Sequence, residues 1–180
     1  MLRIVLPRTI SKRMVLLLLV MAGLSVVVKP VGAKSPTSKA TLDRVAPNVS
    51  RMDLNHKRVS LADYRGKVVL LNFWAIWCAP CLAEMPRFVA WQQKYGGRGL
   101  QVIGISIDDE EHPVRTAYRK YKLNYPVVMG DAKIGEKYGG IFGLPVTFLI
   151  DRSGKIRFQY QGAVDLNTVE NEMHSLLSTP

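Results

Sequence analysis

An α/β domain, with a central mixed β-sheet flanked by helices on both faces, is predicted by three features of this 180-residue chain. Two apolar runs rich in β-formers, VVLLNFW at residues 68–74 and LQVIGISID at 100–108, have the pattern of strands buried on both faces. Segments with helical spacing follow each of them, which gives a strand–helix alternation. Late in the chain, KIRFQYQ at residues 155–161 alternates apolar and polar, as an antiparallel strand with one wet face does.

The elements follow in order. Residues 34–46 are polar and without apolar period, and read as a linker, so the domain is set at 47–180. Residues 48–60 suggest two short strands around a turn at 55–57, after which LADYRGK leads into the first buried strand. A helix is expected over residues 79–95, with Leu82, Met85, Phe88 and Val89 at helical spacing. DDEEHPVRTAYRKY reads as a second helix: acids gather at its start, Pro113 sits in the first turn, and Val114, Ala117, Tyr118 and Tyr121 form a stripe. A short strand (YPVVMG), a short helix (AKIGEKYG), a strand (PVTFLID) and a turn (DRSG) come next. Residues 165–177 close the chain as a helix, with Asp165 as N-cap and Leu166, Val169, Met173 and Leu177 inward. There is no internal repeat.

Hydrophobic residues make up 48 % of the chain, enough for a sizeable core and too much for wholesale disorder. The net charge of +11 raises the question of nucleic acid. Its distribution argues against that partner. Residues 1–33 hold five of the 25 basic residues and none of the 14 acids, which leaves 20 against 14, or +6, scattered over the remainder with no basic stripe. Those first 33 residues read as a targeting segment: a basic stretch, an apolar run at 14–28, and small residues at 31–33. The run is shorter than the ~20 residues of a comfortable span. A cleaved signal peptide and an uncleaved membrane anchor through residues 14–28 both remain open. Either places the domain on the periplasmic, extracytoplasmic side.

Only two cysteines occur, Cys78 and Cys81, in WCAPC. A structural disulfide stabilises most when it closes a long loop. A Cys-x-x-Cys ring closes almost nothing, so stabilisation is a poor account of this pair. The pair falls where a buried strand ends and a helix begins. There, unpaired backbone N–H groups and the helix dipole favour thiolate over thiol, and cysteines in such settings reach pKa values of roughly 3.5–7.5. Cys78, at the mouth, is the expected nucleophile, and Cys81, a turn inward, the resolving thiol. Pro80 suits the first turn and stiffens the ring. Half a zinc site is the competing reading, but zinc takes four ligands, and His56, His112 and His174 lie far apart in sequence. No metal and no cofactor are expected.

The segments FWAIWCAPC and GLPVTFLID resemble the thioredoxin superfamily, and WCAPCLAEMP, residues 77–86, resembles its TlpA/ResA/CcmG (DsbE-like) branch of extracytoplasmic thiol–disulfide oxidoreductases. The resemblance runs from Ala46 to the C-terminus. It implies a thioredoxin fold with an N-terminal β-hairpin and an inserted helix–strand at residues 111–130. Glu84 matches the branch motif, three residues after Cys81 and at the edge of the apolar stripe. A carboxyl group partly desolvated there titrates high and can exchange a proton with Cys81; the bland alternative is an exposed glutamate. Pro145 matches the family's cis-proline beside the active-site sulfurs, which would leave the Leu144 backbone free to pair with an extended substrate. The alternative is a trans proline that starts a strand. Trp77 is expected as an exposed platform that binds substrate with Ala79, Pro80 and Leu144, and Trp74 as core. Pro86 should kink its helix.

Two departures stand out. Asn72 occupies the position of the buried aspartate of thioredoxins proper, so that proton relay is absent. YGGIFGLP is one residue longer than the usual family pattern.

The leading reading is a periplasmic reductase of specific protein disulfides, with apocytochrome c or a copper-site assembly protein as implied substrates. A membrane thiol carrier would be its electron donor, and the protein would act as a monomer. Two alternatives stay open: a disulfide oxidase or isomerase of secreted proteins, and a non-enzymatic copper chaperone that holds copper(I) between the two thiolates. A peroxidase is excluded by the missing peroxidatic cysteine motif.

Overall fold

The computed structural model describes residues 38–179. The expected leader, 1–33, and the first part of the expected linker, 34–37, lie outside the described residues. Among the described residues there are eight strands: β1 (Ser38–Val45), β2 (Ser50–Met52), β3 (Arg58–Ser60), β4 (Val68–Trp74), β5 (Leu100–Ser106), β6 (Val127–Met129), β7 (Val146–Ile150) and β8 (Lys155–Gln161). Four α-helices accompany them among the described residues: α1 (Ala79–Tyr95), α2 (Glu111–Lys120), α3 (Ala132–Lys137) and α4 (Leu166–Ser178).

Six strands form one mixed sheet in the order β1-β8-β7-β4-β5-β6. β4, β5 and β6 run parallel, while β7, β8 and β1 are antiparallel to their neighbours. This is the expected mixed sheet flanked by helices. Every residue of β4 is buried. Its alternate residues feed two cores: Val68, Leu70 and Trp74 pack with Phe88 of α1, Val114 of α2 and Met173 of α4, whereas Val69, Leu71 and Phe73 pack with Ile134 of α3 and with Val59 of the β2–β3 hairpin. The hairpin is the expected one. It caps the β6 edge through Leu54 N–H donating to Val127 O at 2.9 Å, so that edge is not left open.

β1 overturns the linker reading of residues 38–45. The strand pairs antiparallel with β8 from Ser38↔Gln161 to Val45↔Lys155, with an irregularity between Thr41 and Arg44. The domain therefore starts before residue 47. The reason is physical. β1 is an edge strand held by main-chain hydrogen bonds, and among its described side chains only Leu42 packs on the core. Backbone pairing needs no apolar period, so the segment has none to detect. Asp43 adds an ion pair to Lys155 Nζ at 3.2 Å.

Candidate active site

β4 ends at Trp74, and the next four residues form a turn closed by Cys78 N–H donating to Ala75 O at 3.1 Å. Cys78 is then the N-cap of α1, with extended backbone (φ −90°, ψ 95°), and Pro80 lies in the first turn. The sequence dictates this locally: a buried apolar strand has to leave the sheet, and the proline suits only the first turn of the helix that follows. Cys78 and Cys81 form a disulfide with their Cα atoms 5.3 Å apart. The Cys81 N–H points at Cys78 Sγ, 3.3 Å away. The helix N-terminus thus aims a donor at the outer sulfur, which stabilises negative charge on it.

Exposure ranks the two cysteine residues as expected but by a narrow margin: Cys78 is 5 % exposed and Cys81 1 %. The outer cysteine is buried rather than prominent. Around it, Trp77 is 68 % exposed, and Ala79 and Pro80 are exposed as well. Trp74 is buried in the core.

Glu84 is 6 % exposed. Among the described residues neither of its carboxyl oxygens has a hydrogen-bond partner of normal geometry. Burial pushes its pKa from 4.5 up to about 7, and the Val164 backbone only partly opposes the shift. This environment makes the carboxyl a proton acceptor and donor near neutral pH. Asn72, also buried, donates from Nδ2 to Thr147 Oγ1 at 2.9 Å. β4 and its neighbour β7 therefore supply an amide–hydroxyl pair, with no acid at the position of Asn72. α1 continues through Pro86 to Tyr95.

The Leu144–Pro145 bond is cis. Because Phe73 pairs with Val146, Pro145 lies at the end of the sheet where β4 leads into the cysteines. Leu144 packs against the cluster that contains both sulfurs. The lengthened loop before it presents Phe142, 87 % exposed. This ring lies against Gly140, whose φ of +83° and missing Cβ make room for it. Phe142, Ile141, Met129, Asp131 and Asp108 line an open hollow of about 900 Å³. No group of three or more His, Cys, Asp or Glu side chains that could hold a metal ion occurs among the described residues.

One residue escaped the sequence reading. Asp108, just past β5, accepts the N–H of Ile76 in the turn before the cysteines. An acid at the carboxyl end of a parallel strand, beside the strand that ends in the active-site turn, was the available signal.

Comparison with known proteins agrees with this geometry. The AhpC/TSA family matches residues 42–159. The thiol-disulfide oxidoreductase ResA of Bacillus cereus (strain ATCC 10987 / NRS 248) is 34 % identical over 148 residues, 82 % of this chain and 86 % of that one. ResA of Bacillus subtilis (strain 168) is 32 % identical over 130 residues, 72 % of each chain. Among solved structures, a thiol:disulfide interchange protein of the thioredoxin family from Chlorobium tepidum TLS superposes with a TM-score of 0.71 at 28 % identity, covering 77 % of this chain and 99 % of its own. The thioredoxin domain of a thiol-disulfide oxidoreductase from Bacteroides vulgatus gives 0.66 at 30 %, covering 74 % and 99 %. With its cysteine pair on the first turn of α1, in a thioredoxin-type sheet, the chain belongs to the AhpC/TSA family and, within it, to the thiol–disulfide oxidoreductases of the ResA type.

Proposed function

We propose that the protein reduces specific protein disulfides outside the cytoplasmic membrane, of the kind found in cytochrome c maturation or copper-site assembly. The observation that carries this reading is the buried, unpartnered Glu84 one helical turn behind an N-cap cysteine pair. In the reduced enzyme, Cys78 thiolate attacks the substrate disulfide. One enzyme–substrate S–S bond forms, the substrate S–S bond breaks, and the departing substrate sulfur takes up a proton. Cys81 gives its proton to Glu84 and attacks Cys78 Sγ. The enzyme disulfide closes, and the second substrate sulfur leaves and is protonated. Two electrons have then passed from the enzyme to the substrate; one proton comes from Cys81 by way of Glu84, and the other comes from the solvent, which took up the proton that Cys78 lost on ionising.

Trp77, Ala79 and Pro80 form the exposed face around Cys78, and Leu144 with Pro145 borders it. The hollow beside Phe142 offers room for a polypeptide substrate and so favours dedicated partners over free small thiols. The apolar run at 14–28 supports an extracytoplasmic location, as a secreted domain or one anchored in the membrane. There a membrane thiol carrier would re-reduce the pair.

A redox titration tests the direction. A reducing potential, near the −270 mV characteristic of thioredoxin, is expected, and a value near the −120 mV of a strong oxidase overturns the reductase reading. Cys81→Ser in the native cell should trap mixed disulfides on Cys78, and the captured proteins name the substrates.

A further inference from the structure

We infer that Asp108 is a positioning residue for the exchange reaction: its carboxylate fastens the turn that presents Cys78 to the end of β5. The inference rests on the reading of Cys78 as the attacking sulfur. The last main-chain rung between β4 and β5 is Ile107 N–H donating to Trp74 O at 2.9 Å. Beyond it the strands part, because β4 turns toward the cysteines. The side chain of Asp108 supplies the next rung. Its Oδ2 and Oδ1 lie 3.0 and 3.2 Å from the Ile76 nitrogen.

The carboxylate is itself held. Ser106 Oγ donates to Oδ2 at 2.8 Å, and the Asp108 N–H donates back to Ser106 Oγ at 3.1 Å. Ser106 is fully buried, so this anchor does not follow surface motions. From it the chain of contacts is short: Asp108 to Ile76 N–H, then the turn closed by Cys78 N–H on Ala75 O.

Asp108 is the side chain that hydrogen-bonds to the turn's main chain, beside the packing of Ala75 and Ile76 on the core. Ala75 is core, Ile76 is half-buried and Trp77 is exposed. Without the carboxylate, Cys78 Sγ loses its fixed place over the Cys81 N–H, and with it the stabilisation of the thiolate. Asp108, Asp109 and Glu110 also line a hollow of about 310 Å³ beside Trp77. The charge of Asp108 by itself disfavours a nearby thiolate, so tether and charge act in opposite directions, and variants can separate them.

The test measures iodoacetamide alkylation of Cys78 against pH in a Cys81→Ser background, where it is the only thiol. D108N keeps one acceptor oxygen and drops the charge, whereas D108A drops both. D108N should keep the rate constant at pH 7 within about threefold, and D108A should lower it about tenfold and move the profile to higher pH. Profiles of D108A and D108N that superpose overturn the inference, as does a shift of D108A to lower pH. Should D108A fail to fold, S106A takes its place. It keeps the carboxylate but removes the hydroxyl that orients it; a smaller upward shift is expected, and a profile superposed on that of intact Ser106 overturns the inference. An ordinary, unactivated thiol with Asp108 intact is a different result, which overturns the reading of the site itself together with this inference.

Discussion

Two glutamates lie along the seam between α1 and the chain segment that ends in α4, and they titrate in opposite directions. Glu84, near the cysteines, is raised to about 7 by burial, with no hydrogen-bond partner of normal geometry for either oxygen. Glu170 of α4, at the far end of α1, is held below its usual range. There Tyr95 Oη donates to it at 2.6 Å and Arg87 Nη2 at 2.5 Å. His174 Nε2 lies 2.8 Å from the same tyrosine hydroxyl. What separates the two is donor supply as well as depth. A carboxylate given a phenol and a guanidinium ionises easily, and one that is buried with only the Val164 backbone to oppose the shift keeps its proton. One end of α1 is thereby stitched for stability. The other is left short of donors, which is what the proposed proton exchange with Cys81 requires.

The contrast predicts stability curves of opposite slope. The folded-state pKa of Glu84 lies above its unfolded value, so its proton binds more tightly in the folded protein. Stability associated with Glu84 is fully present below about pH 4.5 and is lost as pH rises through about 7, a swing of about 3 kcal/mol. E84Q removes the swing. Urea unfolding should show the variant gaining on the wild type by that amount between pH 4 and pH 8, and parallel curves would break the comparison. The same substitution should slow disulfide exchange at neutral pH by about a hundredfold and remove the limb near pH 7 from its profile.

Glu170 runs the other way. Its folded-state pKa is depressed, so its contribution is present above the unfolded value of 4.5 and disappears as pH falls through the folded one. E170A should cost about 1–3 kcal/mol at pH 7, with the cost shrinking toward pH 3. It should leave the exchange rate of the folded protein within about twofold, because no reacting atom is touched. A tenfold loss of rate would show that the two ends of α1 are not separable.

The smallest effect belongs to the surface. Asp43 on β1 is 64 % exposed as a side chain, in ion pairs with Lys155 and Arg157. D43A should change stability by less than about 0.5 kcal/mol, read as an unchanged urea midpoint, since β1 is held by its backbone. A larger loss would mean that charge, and not main-chain pairing, holds that edge.

Much of the site was legible because its logic is local. A fully apolar strand, a two-cysteine turn and a helix with proline in its first turn are neighbours in sequence, so β4, Cys78, Cys81 and the whole span of α1 follow from order and spacing alone. The β2–β3 hairpin and the Asp165 cap were readable for the same reason. β1 was not. Its partners lie on β8, more than a hundred residues away, and main-chain hydrogen bonds leave no side-chain pattern behind.

Thiol chemistry at Cys78 and Cys81 was thus decided by the sequence itself, since a helix N-terminus acts on whatever residue stands at its cap. Which of two glutamates would be starved of donors was decided only by the tertiary structure, and so was the role open to Asp108. The field at a buried carboxyl is set by groups folded in from distant segments: Val164 beside Glu84, Arg87 and Tyr95 around Glu170, and the Ile76 amide over Asp108. Linear order carries no record of which of them will meet.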